Sequence, residues 1–472
     1  MTPRPLVALG VLALGACMVG PDYERPAMPL PGAFAGPSAA VAAGTTDSVP
    51  AEWWRLFDDP TLDDLVATAL ANNTDIVQAV ARIEQADANV RVVNAALFPQ
   101  LNLGGTASRT AYSSKVVAPQ SPGELLQNNL LLELSASFEI DFWGKLRRAS
   151  EAARAQDLST RYAKDVVTLS TAALTTQTYF ALRSLDAQIA STRSTLDSRE
   201  DTLAIVRRRA DAGLASDLDV RQAEGARSDV AFLHDDFLRQ RALAEHLLGT
   251  LTGKLDLTLP AGDIAQLPVP ASPPPGLPSA LLERRPDIRQ AEQDLVAANA
   301  QIGVAKAMLF PTITLTGDFG GQSAALAGLF TLPGRIWALG AGISAPIFEG
   351  GQLVAQVDVQ YALRAQSLAN YQKTIQTSFR EVSDALSNVR QYAATERDAR
   401  QSADAARAAL RLANIRYEAG YTPFLDVLDS QRSLNVSELA LIRSRQNLLA
   451  ADVDLMTALG GGWQPEQQAA ER

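Results

Sequence analysis

Ala96-Leu97-Phe98-Pro99-Gln100-Leu101-Asn102-Leu103-Gly104-Gly105 returns further along the chain as Met308-Leu309-Phe310-Pro311-Thr312-Ile313-Thr314-Leu315-Thr316-Gly317. The offset is constant across this region: Pro99 to Pro311 is 311 − 99 = 212, and Asp75-Ile76 to Asp287-Ile288 is 287 − 75 = 212. Self-similarity held at a fixed spacing marks a duplicated chain. Downstream, RRRADAGLASDLDV at Arg207 to Val220 matches IRYEAGYTPFLDV at Ile415 to Val427, with Gly213 to Gly420 at 420 − 213 = 207 and Gly144 to Gly351 at 351 − 144 = 207. The second copy has therefore lost 212 − 207 = 5 residues between its two strand segments. A surface loop tolerates such a loss.

Each repeat reads as helix, strand, loop, strand, very long helix, turn, helix. From about Lys145 to Ala212 apolar residues recur at helical spacing (Val166, Leu169, Ala173, Leu174, Ala181, Leu185) with no proline to stop them. Roughly 65 helical residues at 1.5 Å each span about 100 Å, which predicts an elongated protein. Leu353 to Ala419 repeats the pattern, and Gly213 and Gly420 stand where a glycine closes a helix in the left-handed conformation, so each long helix folds back as a hairpin. The repeats are placed at 63–259 and 279–459, with tips at Gly213 and Gly420. Between them 260–278 contains a proline-rich run, Leu267 to Pro278, that reads as a connector; 17–62 is an extended lead-in and 460–472 a tail.

Four segments alternate in polarity, near 99–112, 130–141, 312–320 and 336–347. In the second, Leu132, Leu134, Ala136, Phe138 and Ile140 face one way and Glu133, Ser135, Ser137 and Glu139 the other; in the third Ile313, Leu315, Gly317 and Phe319 alternate with Thr312, Thr314, Thr316 and Asp318. The fourth sets Trp337, Leu339, Ala341, Ile343 and Ala345 against smaller residues. Strand by strand, a half-buried soluble sheet and an oblique membrane crossing explain this equally well. As a set, four amphipathic strands leave edges that lipid cannot satisfy, so a spanning sheet of this kind closes only with several copies of the chain.

The composition fits close-packed small side chains: of 472 residues 47% are hydrophobic, 20% charged and only 6% aromatic. A net charge of −10 without a long basic run excludes a nucleic-acid partner. Residues 1–16 read as a secretory signal, with Arg4 ahead of an apolar Leu6 to Ala16 too short to span a bilayer. Leu14-Gly15-Ala16-Cys17 resembles a bacterial lipobox, and Cys17 is the chain's only cysteine, so lipidation is expected and a disulfide is not. Acyl chains buried at about 0.8 kcal/mol per CH₂ would tether the mature N-terminus, and Met18 rather than Asp after the cysteine favours export to the outer membrane.

Chemistry-bearing motifs are sparse. Gly340-Ala341-Gly342-Ile343-Ser344-Ala345 satisfies a GxGxxA pattern, but Pro346 and Gly350-Gly351 argue against the helix a nucleotide site needs there. His234 and His246 have no cysteine partner, Gly249 to Lys254 is misspaced for a phosphate loop, and no GxSxG occurs. The expectation is a protein without enzymatic activity, cofactor or metal.

Cys17-Met18-Val19-Gly20-Pro21-Asp22-Tyr23 with Pro26, Trp53-Trp54-Arg55-Leu56-Phe57-Asp58-Asp59-Pro60-Thr61-Leu62, the twin LFP segments and the twin glycine turns together resemble the outer-membrane factor family, the TolC-like channels, in its NodT-like lipoprotein branch found with RND-type pumps. The likeness covers essentially the mature chain. It implies a homotrimer whose twelve strands form one barrel in the outer membrane, continued by a periplasmic helical tunnel. It also implies a periplasmic adaptor docking at the tips around Gly213 and Gly420, and an inner-membrane RND-type transporter as partner. Leu425-Asp426-Val427-Leu428-Asp429 looks like the family's paired-aspartate constriction, with Asp426 and Asp429 at i, i+3 on one helical face. Tyr417 matches a tyrosine that in the family hydrogen-bonds to an aspartate of the first repeat, here Asp219, to keep the tip closed; Thr422 stands where a second clasp arginine is usual. A drug or toxic-compound efflux duct is the expected function; a type I protein-secretion duct is the second reading, and a non-conducting periplasmic adaptor or scaffold a third, of another class.

Overall fold

A computed structural model describes residues 18–31, 34, 49–113, 115, 125–271 and 280–463. Cys17, the signal segment 1–16 and the last tail residues 464–472 lie outside the described residues, as does 272–279 of the proline-rich connector. The described elements run α1 (Pro60–Asn72), α2 (Thr74–Ala95), β1 (Gln100–Ala111), β2 (Leu126–Ile140), α3 (Lys145–Asp211), α4 (Asp217–Thr252), the single turn α5 (Leu281–Arg284), α6 (Pro286–Ala307), β3 (Thr312–Ser323), β4 (Arg335–Ser344), α7 (Gln352–Glu418) and α8 (Phe424–Ala458). No described helix is long and apolar enough to cross a membrane.

The chain forms two compact units, and neither is a repeat: Met1–Ala27, Arg82–Arg161 and Gln290–Gln372 make one, and Met28–Ala81, Tyr162–Arg289 and Lys373–Arg472 the other. Each unit draws on both copies, and the buried clusters of the second unit combine residues of the two.

The first unit holds the sheet, antiparallel in the order β1-β2-β3-β4. Its register stacks like on like. Leu103 lies opposite Leu134, Leu134 opposite Phe319, and Phe319 opposite Trp337; six residues along, Ile140, Ile313 and Ile343 form a row. Directly opposed residues share a face, so the apolar rows make one continuous surface, with Trp337, Leu339 and Ile343 70%, 81% and 74% exposed. The other face carries Asn102, Ser135, Asp318 and Ala338 in one row and Ser137, Thr316 and Gly340 in another. Three strand limits differ from the sequence reading, and β3 runs on to Ser323 rather than ending near 320 because Gly320 and Gly321 still pair through their backbones with Glu133 and Leu132. β4 ends at Ser344 rather than near 347, because Pro346 has no amide to donate to a ladder. β2 begins at Leu126 rather than near 130, because the non-alternating Gln127-Asn128-Asn129 still pairs through its backbone with Arg109 and its neighbours.

Below the sheet, the N-terminal arm is fixed by glycines. A Cβ on Gly20, at φ +108°, would stand 2.5 Å from the Gly303 Cα, and one on Gly303 would meet the Val19 carbonyl at 2.8 Å. Asp22 pairs with buried Arg148 at 2.5 Å, and Arg25 forks onto Glu292 at 2.5 and 2.8 Å.

The second unit contains the main core. Trp53 and Phe57, on a short 3₁₀ turn (Trp53–Phe57), are fully buried among Leu62, Val66, Phe180, Val453 and Met456. Asp59 then caps α1 by accepting from the Thr61 and Leu62 amides at 2.8 and 3.3 Å, and also accepts from the Tyr179 hydroxyl. A buried polar seam fastens the connector to the helices. Asp186, 1% exposed at its side chain, takes Arg183 at 3.1 Å, Arg241 at 2.7 Å and the Gly262 amide at 3.0 Å. Arg183 and Arg241 also reach the carbonyls of Pro260 and Leu259 at 2.6 and 2.8 Å. Burial and the hydrogen bond to Asp59 push the Tyr179 phenol up to about 12, so it remains a donor.

Candidate functional site at the hairpin tips

Both tips close in the same way. Gly213 and Gly420 adopt φ +74° and +77°, and a Cβ at either would meet nothing. The amide of the residue after each glycine reaches back five residues: Leu214 to the Arg209 carbonyl at 2.8 Å and Tyr421 to that of Arg416 at 2.9 Å. The duplicated glycine is thus a backbone requirement at both turns.

The two copies diverge immediately afterwards. At the shared offset of 207, Asp426 corresponds to Asp219, Asp429 to Gln222 and Pro423 to Ser216. In the first copy Ser216 and Asp219 form a reciprocal capping box at the start of α4: the Asp219 carboxylate accepts from the Ser216 amide at 2.9 Å and hydroxyl at 2.8 Å. In the second, Pro423 occupies the N-cap of α8 with neither an amide proton nor a hydroxyl to offer. The Asp426 carboxylate is therefore released from the capping duty its counterpart performs. Asp426 and Asp429 are both exposed, and Asp429 accepts from Arg432 at 2.7 Å in a solvated pair. Chain geometry thus explains why the Asp426 carboxylate is free of a capping bond on the second hairpin while its equivalent Asp219 is not.

Tyr417 and Asp219 are not brought together. The Tyr417 hydroxyl accepts instead from Arg209 Nη1 at 3.0 Å, with the guanidinium 5.1 Å from the ring centroid, while the Asp219 carboxylate is spent on Ser216. The reason is local: Asp219 sits at the third helical position after a serine, where a capping box competes with any distant partner. Tyr417 also tilts against Phe424 at 5.6 Å, and both pack in a small tip core with Val206, Ala223, Val427 and Leu428. Thr422, at the position of the family's second clasp arginine, has a buried hydroxyl without a hydrogen-bond partner. Arg209 is a residue the sequence reading missed, although Arg207-Arg208-Arg209 lies four positions before Gly213 at 213 − 209 = 4.

The remaining motifs fall within regular elements. Gly340 to Ser344 of the GxGxxA pattern lie in β4, and His234 Nδ1 lies 3.1 Å from the Thr192 hydroxyl. No group of three or more metal-binding side chains occurs among the described residues.

The chain thus combines an antiparallel sheet with an exposed apolar face and helical hairpins closed by glycine tips. A sequence model of the outer membrane efflux proteins matches residues 65–254 and 277–461. The toluene efflux pump outer membrane protein TtgF of Pseudomonas putida is 37% identical, over 97% of this chain and 96% of its own. The cation efflux system protein CusC of Escherichia coli is 34% identical, over 98% and 100%. The Neisseria gonorrhoeae MtrE outer membrane channel, solved in its open state, superposes with a TM-score of 0.82 at 30% identity, covering 95% of this chain and 99% of that one. The chain belongs to the outer membrane efflux protein family, and it is the outer-membrane channel component of an efflux pump.

Proposed function

We propose that three copies of this chain close their sheets into one twelve-stranded outer-membrane barrel, continue it as a helical tunnel through the periplasm, and conduct small molecules handed over by an inner-membrane RND-type transporter through a periplasmic adaptor seated at the Gly213 and Gly420 tips. The observation that carries this is the sheet. β1 and β4 are open edges on a surface whose apolar rows are continuous, and unpaired backbone groups cost several kcal/mol each in hydrocarbon. Four strands are too few to close a barrel alone.

Cys17 carries the lipid in this reading. Support comes from its neighbours: the Val19 amide donates to the Trp143 carbonyl at 3.0 Å, and Met18 lies against Gly144, just past the end of β2. The first described residues, Met18 and Val19, thus lie at the foot of the sheet, which supports an anchor at this end of the chain. Asp426 and Asp429 line the narrowest point of the tunnel, six carboxylates around the threefold axis, and favour cations. The first hairpin is tied to the second at the tip by Arg209 and Tyr417. No catalytic step and no cofactor enter this account. Relatives named for toluene and for cations both align over nearly the whole chain, which fits cargo being chosen by the inner-membrane partner.

Planar-bilayer reversal potentials test the constriction. Wild-type channels should be cation-selective, and the Asp426→Asn, Asp429→Asn double variant should lose that preference. Unchanged selectivity would make both residues ordinary surface aspartates.

A further inference from the structure

Arg199 lies on α3, in the spacing Leu196, Arg199, Leu203, Val206 that marks the buried stripe of that helix. It is 4% exposed, yet its Nε and Nη1 have no hydrogen-bond partner. Burial works against its charge, and Asp229 on α4 is the group that opposes this. A guanidinium does not shed its proton in a protein, so a cation is held here with its donors unspent.

Its surroundings say what it acts on. Arg199 lines a groove of about 560 Å³ together with Asp229 on α4 and Asp426, Asp429 and Arg432 on α8. Leu233, Leu428 and Val436 form part of the wall, which limits solvent screening. Three carboxylates and two guanidiniums share this space, and only Asp429 and Arg432 are joined by an ion pair.

We propose that Arg199 is the counter-charge of the Asp426–Asp429 pair. From the first hairpin it draws their carboxylates toward the α4–α8 groove, and so sets how much negative charge the second hairpin shows to a passing ion. Asp229 competes for the same guanidinium and limits that pull. Moving α8 away from α3 would take the carboxylates out of reach of Arg199, so the charge of the site is coupled to the position of the hairpin. The inference rests on the constriction reading above and adds to it a residue that touches no permeant ion.

Reversal potentials and divalent-cation block, measured on channels confirmed as assembled, provide the test. Arg199→Gln should raise the cation-to-anion permeability ratio about threefold or more and tighten Ca²⁺ block by a similar factor. Asp229→Asn should shift both the opposite way, because Arg199 is then freed toward α8. Arg199→Lys keeps the charge and should stay near wild type, which separates charge from packing. In the Asp426→Asn, Asp429→Asn background, Arg199→Gln should change nothing. If the double aspartate variant alters selectivity but Arg199→Gln does not, or if Arg199→Gln acts equally in both backgrounds, the counter-charge is refuted while the constriction stands. If the double variant itself leaves selectivity and block untouched, both fall.

Discussion

Replacing Arg209 with Gln removes the hydrogen bond to the Tyr417 hydroxyl at 3.0 Å and the guanidinium placed 5.1 Å from its ring. A hydrogen bond from a charged donor contributes about 1.5–3 kcal/mol, and an exposed cation–π contact about 0.5–1 kcal/mol. Both partners are half-exposed, so solvent screening reduces the sum to about 1–2 kcal/mol per chain. Three equivalent contacts, far enough apart to add, would give about 3–6 kcal/mol if the tips of a trimer open together. One contact alone changes an open-to-closed ratio by roughly 5- to 30-fold. Single-channel recording should accordingly show a higher resting open probability for Arg209→Gln, with ion preference unchanged. Tyr417→Phe keeps the ring and loses only the hydroxyl, so it should produce a smaller effect in the same direction. The reasoning fails if both variants gate like wild type while Asp219→Asn opens the channel, since the tie would then run through the aspartate.

Asp186→Asn strips Arg183 and Arg241 of their shared buried carboxylate and should cost about 3–5 kcal/mol, read as a lower guanidinium-chloride midpoint. Gly213→Ala and Gly420→Ala meet no steric obstacle and should cost only the left-handed backbone penalty, about 1–2 kcal/mol each, seen as faster amide exchange confined to the tips. Gly303→Ala pushes against the Val19 carbonyl and the Arg148 side chain, so limited proteolysis should cut after Arg25 sooner than in wild type. Cys17→Ser should leave the sheet able to form but slow anchoring, and mass spectrometry of the mature N-terminus should find acyl mass on wild-type chains only.

The duplicated halves and their strands were legible because they rest on periodicity. A two-residue repeat sorts Leu132, Leu134 and Phe138 from Glu133, Ser135 and Ser137 without further information, and the register later put those sets on opposite faces. Strand limits were less legible, since a ladder extends through backbone groups that Gln127 and Asn128 possess as fully as any apolar residue. Gly213 and Gly420 stand out in the sequence because glycine at positive φ is a requirement of the backbone itself. The tip contacts were not, because a side chain's partner depends on what else competes for it. Ser216 captures Asp219, and the vacated tyrosine is met by Arg209 from a helix more than two hundred residues distant, |i−j| = 208. Arg199 did leave a trace, as a charge in an apolar stripe, but only the fold brings it to a groove that Asp229, Asp426 and Asp429 also line.

Native mass spectrometry of protein extracted from membranes in mild detergent bears most directly on the account, because an open sheet with two unpaired edges cannot rest in lipid as a single chain. The account predicts one species containing three chains, stable enough to enter a gel in SDS unheated, that inserts into planar bilayers and conducts. A single chain that keeps its four strands in detergent and conducts nothing would contradict it.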